Sequence, residues 1–304
     1  MKTAKSLYAP GWVIFMFISG PFAQAQPEPP PIPEPTYVNV AYGDHSQPVI
    51  DFWKANVDGP APLVIYIHGG GFTGGSHDRV NASNIKRLAD AGIHHASVEY
   101  RFLKHAKLPA AHVEVVRAIQ FIRSKAEEWG IDKNRIGAYG GSAGAQLVAY
   151  LAWHDDMADP KSEDPIARES TRLAAVAPLN AQSHRTLDWW IENIPGYDEY
   201  HNPPDFYTDL RGAAQQALFE ELSIINHITA DDPPVFLSYR MRPDDQIPKE
   251  NAQGWSVHHV NFGIAMEDKL RRAGVEVTLK YPGPQTRFEN EIEFFIHHLS
   301  TADG

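Results

Sequence analysis

The chain contains no cysteine in 304 residues. That absence excludes disulfides, thiolate metal sites and a lipid carried on a lipobox cysteine. No apolar run approaches the ~20 residues of a membrane-spanning helix; the stretch Trp12 to Ile18 is too short. Basic residues are outnumbered, 27 against 38 acidic, for a formal net charge of −11. Nucleic acids and anionic membrane surfaces reward basic patches, so the balance argues against both. No internal repeat and no EF-hand spacing is present. One further lack is local: the loop Pro282-Gly283-Pro284-Gln285-Thr286-Arg287 near the C-terminus holds no histidine.

What is present begins with a leader-like segment over residues 1–25. Lys2 and Lys5 give a positive start, Trp12 to Ile18 an apolar stretch, and Ala23-Gln24-Ala25 a small-x-small cleavage site. The expectation is a secreted or periplasmic protein without a membrane anchor. Residues 26–36, with Pro27, Pro29, Pro30, Pro31, Pro33 and Pro35, read as an extended spacer. The remainder, 37–304, suits one large domain, and 43% hydrophobic with 21% charged residues is a globular composition.

Within that domain strands and helices alternate. Strands are expected at Tyr37 to Tyr42, Val49 to Lys54, Leu63 to Ile67, Ile93 to Tyr100, Arg135 to Tyr139, Leu173 to Ala177, Val235 to Tyr239 and Val275 to Tyr281. Helices are expected at Ala82 to Ala91, Ala110 to Trp129, Ala143 to Trp153, Phe262 to Ala273 and Phe288 to Leu299. The near-continuous apolar run Leu63 to Ile67 fits a strand buried on both faces. The alternation predicts an α/β fold with a doubly wound, mostly parallel sheet. Residues 178–232 break the rhythm with Trp189, Trp190, Tyr197, Tyr200, Phe206 and Tyr207 and predict a cap or lid insertion.

Two glycine-rich turns carry the chemistry. His68-Gly69-Gly70-Gly71-Phe72 follows one buried strand, and Gly140-Gly141-Ser142-Ala143-Gly144 lies between a strand and a helix. The second matches the G-x-S-x-G nucleophile elbow, with Ser142 at the tip near the helix's positive end. Ala143 offers one oxyanion-hole N–H, and Gly70 and Gly71 offer others, because glycine lets the backbone approach a ligand closely. Either turn alone arises by chance; the pair in this order is specific.

The chain resembles the α/β-hydrolase fold family, in its branch with an HGGG oxyanion loop. That branch holds carboxylesterases, hormone-sensitive-lipase-like enzymes and small bacterial feruloyl and acetyl-xylan esterases. The resemblance rests on His68 to Phe72, Val98-Glu99-Tyr100-Arg101, Gly140 to Gly144 and Asp232-Pro233-Pro234-Val235-Phe236-Leu237 leading to Asp244-Asp245-Gln246-Ile247-Pro248. It implies a serine esterase that needs no cofactor and no metal. It places the acid of the triad at Asp244, with Asp245 the alternate. The family's histidine follows the last strand as G-H-G-F, and there this chain has Thr286.

Threonine cannot act as a base near neutral pH, so either the base comes from elsewhere or hydrolysis has been lost. His258 and His259 precede a helix that should begin at the sheet's active edge, because in a doubly wound sheet a helix starts where the previous strand ended. His258 is the expected base and His259 the alternate. Among the other histidines, His94 and His95 read as hydrogen-bonded fillers of a core strand, and His68 as a shaper of its loop. His154 beside Asp155, Asp156 and Asp159 reads as a solvated loop rather than a cation site.

The expectation is therefore a serine carboxylic-ester hydrolase with Ser142 as nucleophile, His258 as base and Asp244 as orienting acid. Gly70, Gly71 and Ala143 form its oxyanion hole. Trp189 and Trp190 are expected to line a cleft for a small-molecule or oligosaccharide ester, since aromatic faces suit sugar rings and aryl acyl groups alike. Two other readings stay open: a hydrolase-like protein that binds a glycan without turnover, and an amidase using the same apparatus.

Overall fold

Strands β1 (Tyr37–Ala41), β2 (Val49–Trp53), β3 (Ala61–Ile67), β4 (His94–Val98), β5 (Ile131–Gly141), β6 (Ala175–Leu179), β7 (Val235–Ser238) and β8 (Val277–Lys280) form one sheet in the order β1-β2-β4-β3-β5-β6-β7-β8. β1 and β2 run antiparallel to their neighbours, and every pair from β4 to β8 is parallel. The computed structural model describes residues 31–199, 202–248 and 250–300. The leader and the first half of the proline-rich spacer lie outside these residues.

The helices are α1 (Ala82–Asp90), α2 (Ala110–Ser124), α3 (Ala126–Trp129), α4 (Ala143–Trp153), α5 (Leu187–Asn193), α6 (Pro204–Tyr207), α7 (Gly212–Glu221), α8 (Ala252–Ser256), α9 (Val260–Ala273) and α10 (Glu291–Ser300). Side chains alternate across a strand, so each central strand feeds both faces of the sheet. Leu63, Ile65 and Ile67 of β3, Ala138 of β5 and Leu237 of β7 join α2, α4 and α9 on one face. Val64, Tyr139, Ala177 and Phe236 join Leu88 of α1 and Phe294 and Phe295 of α10 on the other. This two-faced burial explains the unbroken apolar run in β3. His94 and His95 sit buried in β4, where His94 Nδ1 accepts from Ala55 N at 3.0 Å and His95 Nε2 pairs with the Tyr139 hydroxyl at 3.1 Å.

Three departures from the sequence expectation matter. The long helix expected over 110–129 breaks at Lys125 into α2 and α3. α9 starts at Val260, two residues earlier than expected, because His259 caps it: its Nδ1 accepts from Asn261 N at 3.2 Å. The third is α8, a five-residue helix where the pattern predicts no element. Between β6 and β7 the chain forms α5, α6, α7 and a 3-10 turn, Ile224–His227.

Candidate active site

Ser142 lies between the end of β5 and the start of α4, with φ 55° and ψ −117°. Backbone at positive φ is costly for a residue with a Cβ and persists only where the surroundings impose it. Here Ser142 N donates to Leu179 O of β6 at 3.0 Å, and Gln146 N closes the first helical bond on Ser142 O at 3.1 Å. Gly144 lets α4 approach the end of β3 so closely that a Cβ there would overlap the carbonyls of Ile67 and His68. The serine is thereby raised at the C-terminal edge of the parallel strands.

His258 reaches the same point from the turn after α8. Its Nε2 lies 2.8 Å from Ser142 Oγ, and its Nδ1 lies 2.8 Å from the carbonyl of Gly254. A carbonyl oxygen only accepts, so Nδ1 carries the proton and donates, and Nε2 is left with a lone pair toward the serine hydroxyl. That tautomer can take the serine proton. Gly254 and His258 stand four residues apart around the C-terminal end of α8, which fixes the ring by its own backbone. His259, the alternate, faces elsewhere: it is buried, caps α9 and meets the Trp255 ring edge-on. Burial holds its imidazole below the usual value, against the opposing pull of Asp245.

Asp244 is not brought to His258. It is an exposed residue of the loop after β7 and makes no hydrogen bond to either histidine among the described residues. Asp245 turns its carboxylate onto Arg242 N at 2.8 Å, within the same loop. Thr286 Oγ1 donates to the Phe288 carbonyl at 2.8 Å and so closes the loop after β8 on itself.

The loop after β3 is held by a polar clamp that its sequence did not reveal. His68 is 2% exposed; its Nε2 meets Glu99 Oε1 at 2.8 Å and its Nδ1 meets Gly69 O at 2.8 Å. The Tyr100 ring stacks on the His68 ring at 4.4 Å, and its hydroxyl donates to His68 O at 2.9 Å. Glu99 Oε2 also takes His77 Nδ1 at 3.3 Å, and Arg101 pairs with Glu114. Glu99 and Tyr100 thus form a pedestal under the loop. Within it Gly70 has φ 120°, and a Cβ there would overlap the Gly74 carbonyl. Ala143, the first residue of α4, has an N–H without an intrahelical acceptor.

The clamp has a pH signature. Burial alone would raise the Glu99 carboxyl, but the bonds from His68 and His77 outweigh it and hold the group near 2 instead of 4.5. A lowered carboxyl contributes stability that is complete above the ordinary value and disappears as pH falls through the folded one. His77 moves the other way: burial lowers it, but Glu99 and Asp51 win and raise it above 6.5. Its contribution is complete below pH 6.5 and is lost as pH rises through the folded value. Glu99→Gln is therefore expected to cost on the order of 2 kcal/mol at neutral pH and to flatten the loss of stability between pH 4.5 and 2. Urea unfolding across that pH range checks it; an unchanged slope would refute the clamp.

Two cavities meet at Ser142 and His258. One, about 480 Å³, includes Gly70, Gly71, Ala143, Trp190, Phe206 and Tyr207. The other, about 820 Å³ and more open, includes Asn180, Arg240, Asp245, Gln246, Glu250 and Trp255. Trp190 thus faces the serine's surroundings, with its indole N–H donating to His184 O at 2.8 Å. Trp189 instead stacks between His184 and Phe262, at 4.0 and 5.2 Å. Trp255 and Asn251 also line these cavities, and nothing in their local sequence marks them.

Comparison with known proteins agrees with this architecture. The family model described as BD-FAE matches residues 51–256, more than half of the chain. Esterase LipC of Mycobacterium tuberculosis (strain ATCC 25618 / H37Rv) is 27% identical over 224 residues, 71% of this chain and 53% of its own length. Ethyl acetate hydrolase of Pseudomonas putida is 32% identical over 161 residues, 49% of this chain and 50% of its own. The chain spans about half the length of the curated relatives it matches. Among solved structures, an acetyl ester-xyloside bifunctional hydrolase from Caldicellulosiruptor lactoaceticus aligns with TM-score 0.60 and 24% identity over 79% of each chain. A truncated carbohydrate esterase from gut microbiota aligns with TM-score 0.67 and 17% identity, over 87% of this chain and 96% of its own. With its eight-stranded sheet, serine elbow and glycine-rich loop, the chain belongs to the BD-FAE family and has the α/β-hydrolase fold.

Proposed function

We propose that the chain is an exported serine esterase that acts on carboxylic esters of carbohydrate or aryl type through an acyl-enzyme. The observation that carries this reading is the 2.8 Å approach of His258 Nε2 to Ser142 Oγ on a strained elbow, beside the Gly70–Gly71 loop. Ser142 Oγ attacks the acyl carbon while its proton passes to His258 Nε2. The N–H groups of Gly70, Gly71 and Ala143 receive the negative charge that develops on the carbonyl oxygen. Collapse expels the alcohol, which takes the proton back from His258. Water, deprotonated by the same nitrogen, then releases the acid and restores the serine.

The names of the relatives support ester hydrolysis, and two neighbours in structure act on acetyl or carbohydrate esters by their titles. The larger cavity, edged by Asn180, Arg240, Gln246 and Glu250 and fronted by Trp255, suits a sugar alcohol; the smaller, walled by Trp190, Phe206 and Tyr207, suits the acyl group. The protein is expected to hydrolyse 4-nitrophenyl acetate and to be silenced by one equivalent of phenylmethylsulfonyl fluoride. Peptide mass mapping should find the sulfonyl group on Ser142. Absence of turnover and of labelling in folded protein would leave ligand binding without hydrolysis as the reading.

A further inference from the structure

A second cluster of chemistry-bearing side chains lies at the far end of α4 from Ser142. His154 follows the last residue of α4, Glu221 ends α7, and His227 ends the 3-10 turn. One ligand atom from each lies within 4.8 Å of the other two, and among the described residues no other such group of His, Cys, Asp or Glu occurs. The acidic neighbours of His154 do not join it. Asp156 accepts from Thr171 N and Ala158 N, and Asp159 from Lys161 N.

We propose that His154, Glu221 and His227 bind a divalent transition cation, with Zn²⁺ the best fit. His154 Nδ1 faces the Tyr150 carbonyl at 2.8 Å and must donate to it. Its Nε2 meets Glu221 Oε1 at 2.9 Å, a contact that needs either a proton on that nitrogen or a cation shared by both atoms. A ring nitrogen bonded to a carbonyl, with the other nitrogen presented outward, is the usual support of a metal-ligating histidine.

His227 Nε2 lies 3.8 Å from Glu221 Oε2 and 2.7 Å from Glu221 O, and the two imidazoles are 3.8 Å apart by ring centre. Bonds of about 2.0–2.1 Å put the ligands of a tetrahedral zinc roughly 3.4 Å apart, a spacing that the observed 2.9 and 3.8 Å bracket. Binding exchanges the His227 Nε2 bond to the Glu221 carbonyl for a bond to the metal. Two imidazoles and one carboxylate favour zinc over calcium or magnesium, which prefer all-oxygen shells. Glu221 is half exposed, so a water can complete the fourth position.

The metal would tie α4 to the segment between β6 and β7 without touching the esterase chemistry. His154 is twelve residues beyond Ser142, roughly 18 Å along the helix. The test uses tag-free full-length protein stripped with a chelator and titrated with ZnCl₂ by calorimetry. The expected result is one equivalent bound at micromolar Kd or tighter, a rise in Tm, and no uptake of Ca²⁺ or Mg²⁺. His154→Ala and the more exposed His227→Gln should each weaken zinc at least tenfold while 4-nitrophenyl acetate turnover stays within twofold. Absence of zinc binding, or equal binding by both variants shown folded by circular dichroism, overturns the proposal and leaves a plain histidine–glutamate hydrogen bond.

Discussion

His258→Ala is expected to lower kcat for 4-nitrophenyl acetate by about 10⁴- to 10⁶-fold, as loss of the base does in serine hydrolases of known mechanism. Ser142→Ala should cost about as much, and the double variant no more than either, because the two side chains act on one proton. The geometry makes a sharper claim about their neighbours. His258 is oriented by the Gly254 carbonyl at 2.8 Å, and Asp244 is exposed in the loop after β7. Asp244→Asn should therefore leave kcat within about threefold, where loss of an orienting triad aspartate costs about 10⁴. Thr286→His should not rescue His258→Ala, since residue 286 is folded back on Phe288. Steady-state kinetics on the five variants beside wild type decide it. A deep loss in Asp244→Asn, or activity surviving in His258→Ala, would sink this assignment of the base.

The architecture was legible because its elements are strongly patterned. β3 reads as a strand from its apolar run alone, and the glycines after α1, α3 and α9 mark turns that only a left-handed backbone makes. The placement of His258 at the serine followed from topology: β7 ends at the same sheet edge where α9 begins. What the sequence hid depends on contacts between distant segments. Gly254 meets His258 through α8, a helix too short for a periodic signal and containing a glycine, which propensity disfavours. The Glu99 clamp joins residues 31 positions apart, and nothing local distinguishes its glutamate from a solvated one. Asp244 illustrates the converse. A motif taken from a resemblance names a position, but the path of the loop decides where its carboxylate points.

The two fixed glycines of the elbow differ in kind from the one between them, and substitution should show it. At Gly144 a Cβ would overlap the carbonyls of Ile67 and His68, which belong to backbone and cannot rotate away. Relief requires moving α4, yet Ala143 to Ala149 are all buried and the helix packs on β5 and β6. Gly144→Ala is expected to destabilise the domain by about 4 kcal/mol, above the usual cost of overpacking because the obstacle is main chain. Gly141, one residue before the serine, has open space where a Cβ would stand. Gly141→Ala should change stability by no more than about 0.5 kcal/mol. Thermal unfolding of both variants beside wild type checks this, with a shift of about 2–4 °C per kcal/mol expected for a domain of this size. Equal Tm values for the two alanine variants would show that α4 does not sit against β3 as closely as the elbow geometry requires, and the strain that presents Ser142 would lose its structural cause.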